Sequence, residues 1–412
     1  MRSADRYMTA RQAAAALGIS LATLYSYVSR GMLRSEAVLG KPRTRRYLKD
    51  DVARLIERKE LRKNPAMVAA NSLHWGSPVL ESALTLIDQN RLFYLGVDAI
   101  TLAQHAAVEE VAALMWLGDS SHASDLFTKE SLGLPPKIVA LIDRAPHLGP
   151  IERCQLALPL GAAADPSAYD LRLAAAARSG AHILRLLLYA VCGCSAPSPI
   201  DVALTEAWTP KRKSTASAFR AALILCADHE LNVSAFTARC IASAGATPYE
   251  VVIGALAALR GRRHGGASEE VDALFREAEE THQHRDVLGK RLRLLGGLPG
   301  FGHPLYPSGD PRAQMLISLA KSKGRGSAVE LADSLIQAAR LLTGEYPNLD
   351  FGLVTLARAL DLPSGSPIAL FALGRSVGWI AHAIEQYADN QLIRPRARYV
   401  GPIPKSHERR VG

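Results

Sequence analysis

Six polar islands interrupt a chain of 412 residues that is otherwise rich in apolar, periodic text. Asp228-His229-Glu230-Leu231-Asn232 closes an apolar run, and GRRHGGASEE sets His264 ahead of two glycines and a helix start. LPGFGHPLYPSGDPRA fixes His303 among turn residues and leads on to Arg312. YPNLDFG carries Asp350, while LGRSVGW and IRPRARY supply Arg375 and Arg394. A helix N-terminus behind His264 disfavours imidazolium and keeps the ring neutral as a hydrogen-bond donor. Apolar neighbours of Asp350 (Leu349, Phe351 and Leu353) raise its basicity toward what proton abstraction needs, although the position also reads as a helix N-cap. His303 alone would be a chance occupant of a connector. Taken together, histidines, one carboxylate and several arginines in turns suit an anionic, multi-carboxylate substrate. Its carbonyl is polarised while a neighbouring carbon loses a proton. The histidines lie far apart with no HxxxH or CxxC companion, so no metal site is expected.

Helices must position these islands. A 3.6-residue period supports candidates over 100–117, 170–191, 215–229, 235–243, 248–259 and 268–282, then 311–321, 328–343, 349–360 and 367–386. Ala83–Ile87 and Arg91–Leu95 alternate weakly around Asp88-Gln89-Asn90 and suggest one hairpin. No βαβ alternation, GxGxxG, Walker loop or fixed-period repeat is present, which gives an all-α body with a small β element.

The net charge of +10 is concentrated at one end. Residues 1–63 hold 15 Lys or Arg against 6 Asp or Glu, so nearly all the excess belongs to an N-terminal module ending near Lys63-Asn64-Pro65. Within it, TARQAAAAL stops at Gly18, and SLATLYSYVSR begins at Ser20 and ends at Gly31, a helix-turn-helix pattern. Lys41–Tyr47 is expected to form a two-stranded wing, with Asp50 or Asp51 capping a third helix through Arg58. This stretch resembles the MerR-type or excisionase-type winged helix-turn-helix. Ser20, Thr23, Tyr25 and Ser26 would meet base edges or phosphates of double-stranded DNA. Arg43, Arg45, Arg46 and Lys49 would neutralise phosphates, giving salt-sensitive affinity. The bland alternative is a module that docks on the rest of the chain or a partner subunit.

The charged start MRSADRYMTARQ lacks an apolar h-region, and no apolar run approaches the roughly 18 residues of a membrane span. Five cysteines form no CxxC pair and read as reduced, so a cytoplasmic protein without membrane association is expected.

HELNVSAFTAR, GRRHGGASEEV, GFGHPLYPSGDPRA, NLDFG, ALGRSVGWIAH and IRPRARYVG resemble, in order and spacing, the signature segments of citrate synthase. The likeness runs from about Trp75 to the C-terminus. It implies a two-domain helical fold: a large domain over 64–265, a small domain over 266–363 that closes on oxaloacetate, and a return to the large domain over 364–412. By the same resemblance, His264 would hydrogen-bond the acetyl-CoA thioester oxygen, Asp350 would remove the methyl proton, and His303 would polarise the oxaloacetate carbonyl. His229, Arg312 and Arg375 would grip carboxylates, and Arg394 would reach the site from the partner of a homodimer. Acetyl-CoA enters as substrate and no further cofactor is implied. Two departures stand out: Pro307 occupies a position that is basic in many relatives, near the CoA phosphates, and most relatives lack the helix-turn-helix module. The implied reaction is condensation of acetyl-CoA, oxaloacetate and water to citrate and CoA. Its rivals are 2-methylcitrate synthesis from propionyl-CoA and a DNA-binding regulator that uses the fold as a sensor.

Overall fold

The computed structural model describes residues 7–29, 33, 35–38, 41–49, 51–52, 80–128, 134–195, 198–324, 326–397 and 399–402. The Lys63-Asn64-Pro65 boundary, Trp75, the body of the expected third helix and the Arg43 side chain lie outside the described residues. The chain divides into two compact units, Met1–Glu81 with Arg394–Gly412, and Ser82–Ile393.

In the first unit, Thr9 caps the helix Ala10–Leu17 through a capping box with Gln12, and Gly18 ends it at φ 59°. The second helix, Leu21–Ser29, starts where the Ser20 hydroxyl accepts the Thr23 N–H at 3.1 Å. The expected wing is present as antiparallel strands Ser35–Val38 and Lys41–Leu48. A third strand, Tyr7–Thr9, pairs with Lys41–Leu48 on its other side. Three residues are too few to show a period, so that strand was not foreseen. Ala13, Leu17, Leu24, Leu33, Tyr47 and Val52 bury themselves between helices and sheet.

Among the described residues the second unit is helical apart from one small antiparallel sheet of Thr85–Asp88, Arg91–Tyr94 and Val97–Asp98. The expected hairpin is therefore there, and Gln89 and Asn90 turn it with positive φ. The expected helix over 100–117 is two helices, Ala99–His105 and Val108–Leu117. Ala106 and Ala107 are extended, and the Glu110 carboxylate accepts the Ala107 N–H at 2.7 Å, starting a fresh helix. The apolar period runs through that break unchanged.

Helix Ser366–Asp389 forms the axis of the main core and packs on Leu173–Cys192, Ala216–Cys226 and Val233–Ser243. Among the described residues it is the helix long and apolar enough to cross a membrane, and it is almost wholly covered by protein. Gly374 and Gly378 lie where a Cβ would collide with the backbone of Leu223 and Ala227. That close approach sinks the intervening Arg375 into the core at 1 % exposure. A second hydrophobic cluster, built by Val271, Phe275, Phe301, Leu335 and Phe351, lies within residues 271–354. Phe351 holds it together, with ring centroids 5.1 Å from Phe275 and 4.8 Å from Phe301.

Candidate active site

Loop 298–311 and the segment ahead of helix Leu349–Ala359 are stitched side by side. Gly302 N–H donates to Tyr346 O and Asn348 N–H to Gly300 O, both at 2.8 Å, around a bridge between Phe301 and Pro347. Gly300 and Gly302 take φ of 82° and 75°, angles at which a side chain would be strained, and each faces a crowded neighbour. The Gly/Pro-rich loop thereby fixes His303 beside the start of the helix that bears Asp350.

Asp350 does not cap its helix. The cap is Asn348, whose side-chain oxygen accepts Asp350 N–H at 3.1 Å and Phe351 N–H at 3.4 Å. The Asp350 carboxylate instead accepts the Ser268 hydroxyl at 2.8 Å. Burial pushes its pKa up to about 6, against the pull of the Ser268 hydrogen bond and the Arg312 charge. Ser268 N–H in turn donates to Gly265 O, which ties Asp350 to the turn carrying His264.

Both histidines are neutral. Burial and the Arg375 charge lower His264 to about 3, and burial with Arg312 lowers His303 to about 4. His303 Nδ1 accepts Leu305 N–H at 3.2 Å, so the proton of the neutral ring sits on Nε2. His264 Nε2 meets the Ser234 hydroxyl at 2.7 Å, and Trp379 Nε1–H donates to that same hydroxyl at 3.0 Å. His229 packs edge-on against His303 with centroids 5.0 Å apart, and its Nε2 meets the Tyr306 hydroxyl at 3.0 Å. Burial, then Arg312 and His303, hold His229 well below the usual imidazole range.

Two guanidiniums complete the site. Arg312 is clamped side-on by Asp310, Nε to Oδ1 at 3.0 Å and Nη2 to Oδ2 at 2.8 Å. Asp310 also accepts Leu349 N–H at 3.2 Å, joining this loop to the Asp350 helix. Although burial opposes the charge of Arg312, Asp310 outweighs it and keeps the guanidinium protonated. Arg375 donates Nε–H to Cys226 O at 2.6 Å, while among the described residues its buried Nη1 meets no hydrogen-bond partner. A donor of that kind is costly unless something supplies an acceptor.

Six of the seven substrate-handling residues expected from the sequence therefore fall in one compact unit. His229, His264, His303, Arg312, Asp350 and Arg375 act on one another electrostatically. Arg394 lies outside that unit and is exposed. Ser234, Ser268, Asp310, Asn348, Tyr306 and Trp379 were not anticipated as supports. A signal existed for two of them: Asn348 and Asp310 are cap-type residues directly ahead of helix starts. Among the described residues, no group of three or more His, Cys, Asp or Glu side chains is arranged to hold a metal ion.

On the helix-turn-helix, Tyr25 is 53 % exposed. Thr23 is engaged with Ser20, their hydroxyls 2.9 Å apart, and Ser26 is partly exposed. Exposed Arg45 donates to the Ser35 hydroxyl at 2.7 Å. Arg46 pairs with Glu36 at 3.0 Å and lies over the Tyr7 ring at 4.0 Å.

A helical body that joins a raised carboxylate to neutral imidazoles and buried guanidiniums defines an enzyme that transfers an acyl group in a condensation. Residues 73–396 match the family described as citrate synthase, C-terminal domain, and residues 7–60 match a helix-turn-helix domain. The chain belongs to the citrate synthase family. It is 29 % identical to citrate synthase 2 of Bacillus subtilis, covering 82 % of this chain and 97 % of the relative. It is 32 % identical to citrate synthase of Haloferax volcanii (79 % and 94 % covered) and 30 % identical to 2-methylcitrate synthase 1 of Corynebacterium glutamicum (76 % and 90 %). Among solved structures it resembles citrate synthase of Thermotoga maritima, with TM-score 0.69, 28 % identity and 81 % and 96 % covered. The Thermoplasma acidophilum enzyme in ternary complex with carboxymethyl coenzyme A and oxaloacetate gives 0.70 at 26 % identity, with the same coverage.

Proposed function

We propose that the protein condenses acetyl-CoA with oxaloacetate and water to give citrate and CoA. The observation that carries this reading is a carboxylate poised at about 6 that is freed from capping and tied through Ser268 to the His264 turn. Asp350 takes a proton from the acetyl methyl group as His264 donates a hydrogen bond to the thioester oxygen. For that, the His264 proton must sit on Nδ1. The single Ser234 hydroxyl proton faces two acceptors, Asn232 Oδ1 at 2.8 Å and His264 Nε2 at 2.7 Å. Turning it to Nε2 leaves no acceptor unpaired, because Asn232 Oδ1 also accepts the backbone N–H groups of Ser234 and Ala235. The resulting enolate carbon attacks the ketone of oxaloacetate, and His303 Nε2–H stabilises the oxygen that becomes an alkoxide. That oxygen takes a proton from solvent while Asp350 returns to solvent the one it removed. Water then adds to the thioester carbonyl of citryl-CoA and CoA leaves as the thiol. Arg312, Arg375 and neutral His229 hold the substrate carboxylates, with Arg394 contributed by the second chain of a homodimer.

Propionyl-CoA fits the same chemistry, since one methylene in a pocket discriminates only about 10- to 200-fold. CoA release measured with both thioesters tests the proposal. Faster turnover with acetyl-CoA supports citrate synthesis, faster turnover with propionyl-CoA makes the protein a 2-methylcitrate synthase, and no release with either sinks both.

The match to a helix-turn-helix domain, together with exposed Tyr25 and Arg45, favours a second activity, binding of double-stranded DNA. Its test is duplex binding by the full chain with and without oxaloacetate. No salt-dependent binding in either condition would remove it.

A further inference from the structure

Helix Leu173–Cys192 buries a cation that the condensation does not use. Arg185 is 3 % exposed, and among the described residues its Nε and Nη2 meet no hydrogen-bond partner. A carboxylate whose charge bears on it is Glu109, but its Oε1 already accepts Ile200 N–H at 2.8 Å. A buried, unpaired guanidinium is costly and is kept where an anion can reach it. The two open nitrogens are informative, because Nε–H and Nη2–H point the same way and form the side-on fork. Arg312 uses that same pair on Asp310 in this protein, at 3.0 and 2.8 Å.

Arg185 lines a cavity of about 140 Å³, bounded also by Ile138, Gly161, Ala164, Asp165 and Tyr249. Asp165 puts a carboxylate in the wall, but its oxygens are taken. Ser167 donates to Oδ1, the Tyr249 and Ser179 hydroxyls donate to Oδ2 at 3.2 and 3.5 Å, and His182 Nδ1 stands 3.6 Å from Oδ2. One wall is thus acidic and saturated, and the other cationic and open. The volume suits a ligand of a few heavy atoms. None of these residues belongs to the group around Asp350.

We infer that this cavity is a binding site for a small oxyanion, a carboxylate or phosphoryl group held side-on by Nε and Nη2 of Arg185. The site is separate from the condensation site and binds with that site full or empty.

The full-length protein is titrated calorimetrically with inorganic phosphate and, separately, with acetate, in a buffer free of both. Four forms are compared: wild type, Arg185→Met, Ala164→Phe, and Arg375→Ala to remove anion binding at the condensation site. Ala164 is exposed on its helix, so a phenylalanine there plugs the cavity and leaves Arg185 in place. A saturable event at millimolar affinity or better is expected in wild type and persists in Arg375→Ala. It weakens at least about 10-fold, roughly 1.4 kcal/mol, in Arg185→Met and Ala164→Phe. Tighter acetate points to a carboxylate ligand and tighter phosphate to a phosphoryl ligand, and either supports the site. Unchanged affinity in Ala164→Phe overturns it, as does binding that disappears only in Arg375→Ala. Should Arg185→Met fail to fold, Ala164→Phe decides by itself.

Discussion

Asn348 caps the helix on which Asp350 stands, and by doing so leaves the Asp350 carboxylate to Ser268 and the cleft. Two polar residues on either side of Leu349 at one helix start thus divide the work: the amide satisfies the backbone, and the acid is kept for chemistry. A carboxylate that capped its own helix would be held low by the N–H groups it accepts. Asp350 is instead raised to about 6.

That division predicts opposite effects on activity and stability. Asp350→Asn should lower kcat by at least about 10³-fold with little change in oxaloacetate affinity, because the arginines remain. For wild type, kcat/KM should fall about tenfold per pH unit below about 6, where the base is protonated. The stability sign follows from a folded value raised above the ordinary 3.8. The folded state keeps a proton that the unfolded state has lost, so stability declines as pH rises from about 4 to about 6 and stays lower above that. Denaturant titration at pH 7.5 should show Asp350→Asn more stable by about 1–2 kcal/mol, after discounting for its partial exposure. A flat pH profile from 5 to 7, or an Asn variant that is active, would defeat the assignment.

The Ser234–His264 contact predicts a loss confined to the chemical step. Ser234→Ala removes the group that sets the His264 tautomer, and kcat should drop by about 10²-fold while the KM for oxaloacetate holds. Ser234→Thr keeps the hydroxyl and should recover most of it. Equal loss in both variants would mean that Ser234 matters only for packing.

How much of this was legible without coordinates divides by the range of the interaction. Caps and periods are local, so Thr9 with Gly18, and helices such as Pro248–Leu259, were readable residue by residue. So were the islands themselves, because Gly and Pro announce turns wherever they fall. What escaped was long-range or weakly patterned. Ser268 reaches Asp350 across 82 positions and Ser234 reaches His264 across 30, and no spacing rule connects such serines to their partners. Helix Pro150–Ala164 was missed because Pro159 stands inside it, against the helix propensity of its neighbours. Helices Ile200–Trp208 and His284–Leu295 were missed as well, the first being short and the second carrying many charges.

Asp310 is expected to be costly to neutralise. It is 1 % exposed, and its carboxylate pairs with the equally buried Arg312. Asp310→Ala leaves that guanidinium buried and alone, a change worth about 3–5 kcal/mol of stability. Denaturant unfolding should show that loss, and the KM for oxaloacetate should rise as Arg312 moves. A loss under about 1 kcal/mol would mean that solvent or another acid already compensates Arg312.

Arg394 tests the shared site. Arg394→Ala should raise the KM for oxaloacetate, and chains carrying it should be inactive when mixed with nothing else at low substrate. Mixed with His264→Ala chains, hybrids should regain up to about a quarter of wild-type activity, since one of the two sites per hybrid receives both intact residues and about half the dimers are hybrids. Absence of recovery in hybrids verified by mass would place Arg394 outside the partner's site.

The basic module should read DNA through its least committed side chains. Arg46 is occupied by Glu36 and Tyr7, whereas Arg45 is exposed and spends one N–H on Ser35. Arg45→Ala should therefore weaken duplex binding uniformly across sequences and reduce the slope of log affinity against log salt by about 0.9. Arg46→Ala, which must first release an existing pair, should change that slope less. Tyr25→Ala should do the opposite, leaving the salt slope intact and flattening the preference between sequences, because a half-exposed ring on the second helix would contact bases and carries no charge. Fluorescence anisotropy of the full chain on a panel of duplexes separates the three. If all three variants bind as wild type does, the module is a docking domain and the charge concentrated in residues 1–63 serves a protein partner.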